Sequence, residues 1–128
     1  MSSPVKITLI QTHLHWEKKS ANLQMLEEKI LGIKEKTEVV VLPEMFNTGF
    51  SMKPELLAET MEGETVRWMK RIAVTQKIIL TGSLIIKEMA PSPLSERTPL
   101  EERAGGEVYY NRLVWMLPNG QCGVYDKR

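Results

Sequence analysis

The chain is poor in the side chains that build metal centres and disulfides. Its 128 residues include one cysteine, Cys122, and two histidines, His13 and His15. A lone cysteine closes no internal disulfide, which fits a reducing, cytoplasmic setting. The two histidines fall on one side of an extended "HLHW" segment, but no further His or Cys completes a metal site, so they read as loop-packing residues. No metal and no cofactor is expected. The chain also lacks any run approaching the roughly 18 apolar residues of a membrane helix. Its start, "MSSPVKITLI", has neither the apolar segment nor the small-residue cleavage site of a signal peptide. Excess charge of one sign is missing too, with 17 basic against 16 acidic residues, and no basic stripe is interleaved with aromatics. That argues against nucleic acid as a partner, as the hydropathy argues against a membrane.

What is present is an ordinary globular composition, 42% hydrophobic and 26% charged. A chain of this length hides about two-thirds of its unfolded surface on folding, so a true core is expected.

The order of elements is legible. Residues 5–11, "VKITLIQ", are rich in β-branched types and predict a strand. In "SANLQMLEEKILGIKEK" the residues Leu23, Leu26, Ile30 and Ile33 recur at three or four, one apolar helix stripe, with Ser20 available as N-cap. The unbroken run "VVVL" at 39–42 suits a strand covered on both faces, as in parallel sheets. A second helix is predicted in "GETVRWMKRIAVTQ", with Val66, Met69, Ile72 and Ala73 on one face. A third strand is predicted over 78–87, where Gly82 marks a bulge or a close approach. Residues 88–107, with three prolines, two adjacent glycines and many charges, read as an exposed insertion. "PNG" between "VYYNRLVWML" and "QCGVYD" predicts a hairpin. The whole is a βαβαβ succession closed by an antiparallel ribbon, with Trp16 and the helical Met and Leu residues assigned to the core.

Two charged residues stand where strands end. Glu44 follows "VVVLP", and Lys127 falls in "YDKR". Ligands of open α/β sheets gather outside the carboxyl ends of strands, where loops converge on a rigid base. Each residue has a plain alternative, a solvated turn carboxylate and a solubilising terminal charge. Asn47, Thr48 and Phe50, in the same loop as Glu44, either shape a pocket wall or simply form the turn. Tyr110, Asn111 and Arg112 are placed to brace the floor beneath.

The segments "LPEMFNTGF", "GSLIIK", "YYNRLVWMLPNG" and "YDKR", in that order, resemble the nitrilase superfamily of carbon–nitrogen hydrolases, and within it the omega-amidase-like branch. The resemblance covers all but about 88–107. It implies an α/β fold, the N-terminal half of an αββα sandwich, a mixed sheet with helices on one face. It also implies a Glu–Lys–Cys triad: Glu44 as general base, Lys127 stabilising the oxyanion, and the nucleophilic cysteine in a later motif beyond residue 128. Cys122, inside a predicted ribbon strand, reads instead as a small packed side chain. The expected substrate is a small carboxylic acid amide, and the expected assembly is a homo-oligomer.

Residues 1–128 are thus expected to be the N-terminal portion of a hydrolase domain, inactive by themselves for want of the thiol. Two other readings stand beside this one. The chain is alternatively a non-catalytic relative serving in assembly or binding, or a Schiff-base enzyme using Lys127.

Overall fold

The computed structural model describes residues 4–89 and 107–127. In chain order the elements are β1 (Ile7–Leu9), α1 (Lys19–Leu31), β2 (Val39–Val41), α2 (Pro54–Leu57), α3 (Glu64–Gln76), β3 (Ile79–Met89), β4 (Glu107–Met116) and β5 (Cys122–Lys127). The strands form one sheet in the order β1-β2-β3-β4-β5. β1, β2 and β3 run parallel, while β3–β4 and β4–β5 are antiparallel. This is the mixed α/β sheet that the order of elements predicts.

Alternation decides which residues meet the helices. Leu23, Leu26 and Ile30 of α1 and Val66, Met69, Ile72 and Ala73 of α3 pack onto Val40, Leu80, Leu84, Ile86, Val114 and Met116. The interleaved residues point the other way, since successive strand side chains alternate faces. On that second face Ile7, Leu9, Trp115 and Tyr125 are exposed. Among the described residues, α1 and α3 therefore cover one and the same side of the sheet.

β3 is much longer than its neighbour β2, and its spare edge is not left bare. Beyond β2, Leu42 N–H donates to Thr81 O (2.8 Å) and Phe46 N–H to Ser83 O (3.2 Å). Further along, Glu59 N–H donates to Ile85 O (3.1 Å), and Lys87 N–H donates back to Glu59 O (2.8 Å). Backbone groups at depth need such partners. Here the loops that follow β2 and α2 supply them, which lays the Glu44 segment against the middle of the sheet.

Four expectations are corrected. α1 starts at Lys19 with Lys18 at the N-cap, and no side chain caps it. Ser20 lies inside the helix; Asn22, one turn in, instead bonds the loop ahead of it. Trp16 is not core: it is exposed at the rim, its indole Nε1 donating to Phe50 O (2.7 Å). The first strand is only three residues long, although Ile10 N–H still reaches Val41 O (2.9 Å). Glu88, Met89 and Glu107, which composition places in an exposed insertion, are strand residues: Glu88 and Met89 end β3 and Glu107 begins β4, with Met89 opposite Glu107. Cross-strand pairing thus outlasts the point where composition turns polar. Residues 90–106 lie outside the described residues.

Candidate active site

The turn after β2 gives Glu44 its place. Met45 adopts φ +51°, a left-handed conformation that a non-glycine residue enters at a cost. Several bonds hold it there. Met45 N–H donates to the buried Ser83 hydroxyl (3.0 Å), and the N–H groups of Thr48 and Gly49 converge on Met45 O (3.2 and 2.7 Å). Phe46 is fully buried, its ring seated against Gly82 and tilted onto Trp68 at a 5.9 Å centroid distance. A Cβ on Gly82 would stand 2.7 Å from Phe46 Cδ1 and 3.0 Å from Leu42 Cβ, so Gly82 is the close-approach point expected.

Lys127 comes from the other end of the chain. It closes β5 directly opposite Asn111 on β4, which in turn lies opposite Ile85 on β3. This row belongs to the face away from the helices. The Lys127 ammonium stands 3.6 Å from Glu44 Oε1, so the two residues singled out by sequence meet. Their side chains are 30% and 58% exposed, so the pair is open to solvent. Such a contact adds little to stability. Its interest lies in chemistry.

Arg112 anchors the strand that carries Lys127. Its guanidinium bonds both oxygens of Asp126 (2.6 and 3.1 Å) and reaches Glu88 Oε2 (2.7 Å). It also lies 5.0 Å from the centre of the Tyr110 ring. The hydrogen bonds that Arg112 donates to Asp126, more than the one it donates to Glu88, raise its pKa against the opposing effect of burial. The same bonds hold the Asp126 carboxyl below the usual range. Tyr110 and Arg112 lie on the helix-side face, the one that Lys127 does not share, and Asp126 is a partner that sequence reasoning missed.

A second polar group fixes the Glu44 loop from behind. Asn47 Nδ2 donates to Thr65 Oγ1 (3.1 Å) and Glu59 Oε2 (3.3 Å), while Asn47 O accepts from Asn22 Nδ2 (2.9 Å). Glu59 accepts from the Thr65 N–H (2.8 Å) and hydroxyl (2.5 Å) and pairs with Lys19 (3.1 Å). Glu59 thereby caps α3, whose own N-cap, Gly63, has no side chain. Burial pushes the Glu59 pKa up, but the Thr65 bonds and the Lys19 charge outweigh it, and the net direction is down. No local sequence signal names Glu59, because its partners lie on three separate elements. The turn account of Asn47 was therefore only part of its role. Phe50, exposed at the loop's far end, anchors Trp16 through its carbonyl.

Cys122, expected to be a small packed side chain, is instead exposed, and it stands apart from this rim. It opens β5 opposite Met116, on the face that Lys127 does not share, and five residues of strand separate the two by about 17 Å. Among the described residues no cluster of His, Cys, Asp and Glu is arranged to hold a metal, and no helix is long and apolar enough to cross a membrane. A surface groove lined by Ser20, Glu27, Glu64, Arg67, Trp68 and Arg71 lies between α1 and α3, across the sheet from Glu44 and Lys127. It is bridged by the Glu27–Arg71 pair.

A carboxylate and an ammonium meeting at a sheet rim are one frame in which known proteins can be compared. Residues 6–128 match the carbon–nitrogen hydrolase family. The chain belongs to this family. Omega-amidase YafV of Escherichia coli K12 is 32% identical over 125 residues, covering 97% of this chain and 41% of that protein. Omega-amidase YafV of Yersinia enterocolitica is 33% identical over 128 residues, covering 98% and 42%. The crystal structure of XC1258 from Xanthomonas campestris, a CN-hydrolase superfamily protein with an arsenic adduct in its active site, superposes with a TM-score of 0.76 at 27% identity, over 97% of this chain and 40% of that one. Nit3 of Saccharomyces cerevisiae, in branch 10 of the nitrilase superfamily, superposes with a TM-score of 0.69 at 25% identity, over 96% and 44%. The carbon–nitrogen hydrolase chain thus spans about two-fifths of the length of the curated relatives it matches.

Proposed function

We propose that residues 1–128 are the N-terminal portion of an omega-amidase-like carbon–nitrogen hydrolase acting on small carboxylic acid amides. Glu44 is its general base, Lys127 stabilises the oxyanion, and a cysteine thiol comes from outside these residues. The observation that carries the reading is the 3.6 Å approach of Lys127 Nζ to Glu44 Oε1 at the carboxyl rim of the sheet. Relatives named omega-amidases support the substrate class.

The chemistry follows from the charges. Glu44 takes the thiol proton, and the thiolate sulfur forms a bond to the amide carbonyl carbon. The carbonyl electron pair moves to oxygen, beside the Lys127 cation, which favours the transition state over the ground state. The C–N bond breaks, and nitrogen leaves as ammonia with the proton returned by Glu44. Water then gives a proton to Glu44 and attacks the thioester, releasing the acid and the thiol.

The test is ammonia release from 2-oxoglutaramate by the longer protein that includes the thiol. Glu44→Gln and Lys127→Ala are each expected to lower kcat by about 100-fold or more. Turnover within a few-fold of the parent in either variant would overturn the assignment. The 128-residue chain alone is expected to release no ammonia, and substantial release would transfer the nucleophile's role to Cys122.

A further inference from the structure

We propose that Asn111 is a positioning residue for Lys127, its amide oxygen accepting a hydrogen bond from the ammonium and fixing where that cation stands. Asn111 and Lys127 are directly opposed on β4 and β5. Opposed residues of an antiparallel pair share a face, with Cβ atoms about 4.5–5.5 Å apart. Asn111 Oδ1 is buried and meets no donor among the described residues, a condition native structures seldom leave standing. On its other flank the ladder offers only Ile85, which has no side-chain donor. Tyr109, two residues back along β4, packs with Met45, Ala58 and Ile85 in an apolar group.

Lys127 has donors to spare. An ammonium carries three, and the 3.6 Å contact with Glu44 is longer than the roughly 2.7–2.9 Å of a charge-assisted hydrogen bond. An unused donor therefore stands across the ladder from an unused acceptor, and a rotation of the lysine side chain joins them without moving the backbone. Resting on the amidase reading, the consequence is an ammonium held between Asn111 and Glu44, with one N–H left to aim at the substrate oxygen. An ammonium fixed from one side only would sweep a wider arc.

The test reads Lys127 itself rather than turnover. The folded chain is treated with a trace of acetic anhydride, and the acylation rate of each lysine is measured by mass spectrometry, with exposed Lys70 and strand residue Lys87 as references. In Asn111→Leu the Lys127 rate is expected to rise at least three-fold while the reference lysines stay within two-fold. Asn111→Asp, which restores an acceptor, is expected to return Lys127 to the parent rate or below. Parent-like labelling in Asn111→Leu would overturn the proposal, as would equal labelling in the two variants. A rise shared by all lysines would reveal mere loosening of the strands and would overturn it too. Loss of the amidase reading through an active Glu44→Gln enzyme would leave these labelling results standing, so the two failures are distinguishable.

Discussion

The Phe46 ring lies against the backbone of Gly82 so closely that no Cβ fits between them, the nearest ring carbon standing 2.7 Å from where it would be. The carboxylate-bearing turn is thereby docked on the sheet by an absence. Gly82→Ala should force Phe46 and Leu42 aside. Overpacking of this kind costs roughly 1–3 kcal/mol. Urea denaturation should show a lowered midpoint with an unchanged slope, and an unchanged midpoint would mean that the turn yields freely.

Ser83→Ala removes the hydroxyl that accepts from the Met45 N–H. A buried amide left without an acceptor costs about 1–3 kcal/mol, and here it also frees a left-handed residue next to Glu44. On the proposed amidase reading, the expected signature in the thiol-bearing protein is a fall in kcat with little change in KM, because substrate still binds while Glu44 is misplaced. A change confined to KM would contradict this.

Asn22 is a second hub. Its side chain accepts from His15 N–H (2.6 Å) and donates to His15 O (2.7 Å) and to Asn47 O (2.9 Å). Asn22→Leu keeps the volume and strips all three bonds. The expected loss is about 2–4 kcal/mol, larger than a single broken bond because several backbone groups are stranded together. Thermal unfolding measures it directly, and a loss below about 1 kcal/mol would show that water replaces the side chain.

Glu59 sets an acid limb. Its carboxyl is held below its ordinary value of 4.5, so the folded state favours the ionised form. For a depressed carboxylate the stabilisation is complete above the unfolded value and is lost as pH falls through the folded one. Stability should therefore be flat in this contribution above about pH 5 and should decline below 4.5. Glu59→Gln should be less stable than the parent at pH 7, with the gap narrowing as pH falls below 4.5. A gap independent of pH would assign the effect to packing.

Much of this arrangement was written in local pattern. The run Val39–Leu42 announces a covered strand, and Val39, Val40 and Leu42 are buried. "PNG" announces the ribbon, and Gly120 there has φ +90°. Glu44 and Lys127 were found because each was read just past a strand end, although Lys127 proves to be the last residue of β5 itself, and because the order of motifs carries a family resemblance. The supports of the site were not legible. Ser83 looks like any polar residue in a strand, and nothing in its neighbours says that it will meet Met45 across 38 positions. Glu59 and Asn47 are polar residues in polar loops, and their burial follows from three elements arriving together. Trp16 misled because its size argues for the interior, whereas its indole N–H is satisfied by a carbonyl at the rim.

The ribbon carries one further implication. Leu117 and Gln121 close its tip, with Leu117 N–H donating to Gln121 O (2.8 Å). Since strand side chains alternate with a period of two, adding a single residue at this tip would shift the pairing by one, set Asp126 opposite Asn111 and roll the distal arm by half a turn. The ammonium would then emerge among the helices, and Asp126 would take its seat beside Glu44. Whether cation meets carboxylate or carboxylate meets carboxylate is thus decided at the opposite end of the arm, by how many residues it takes to turn the corner.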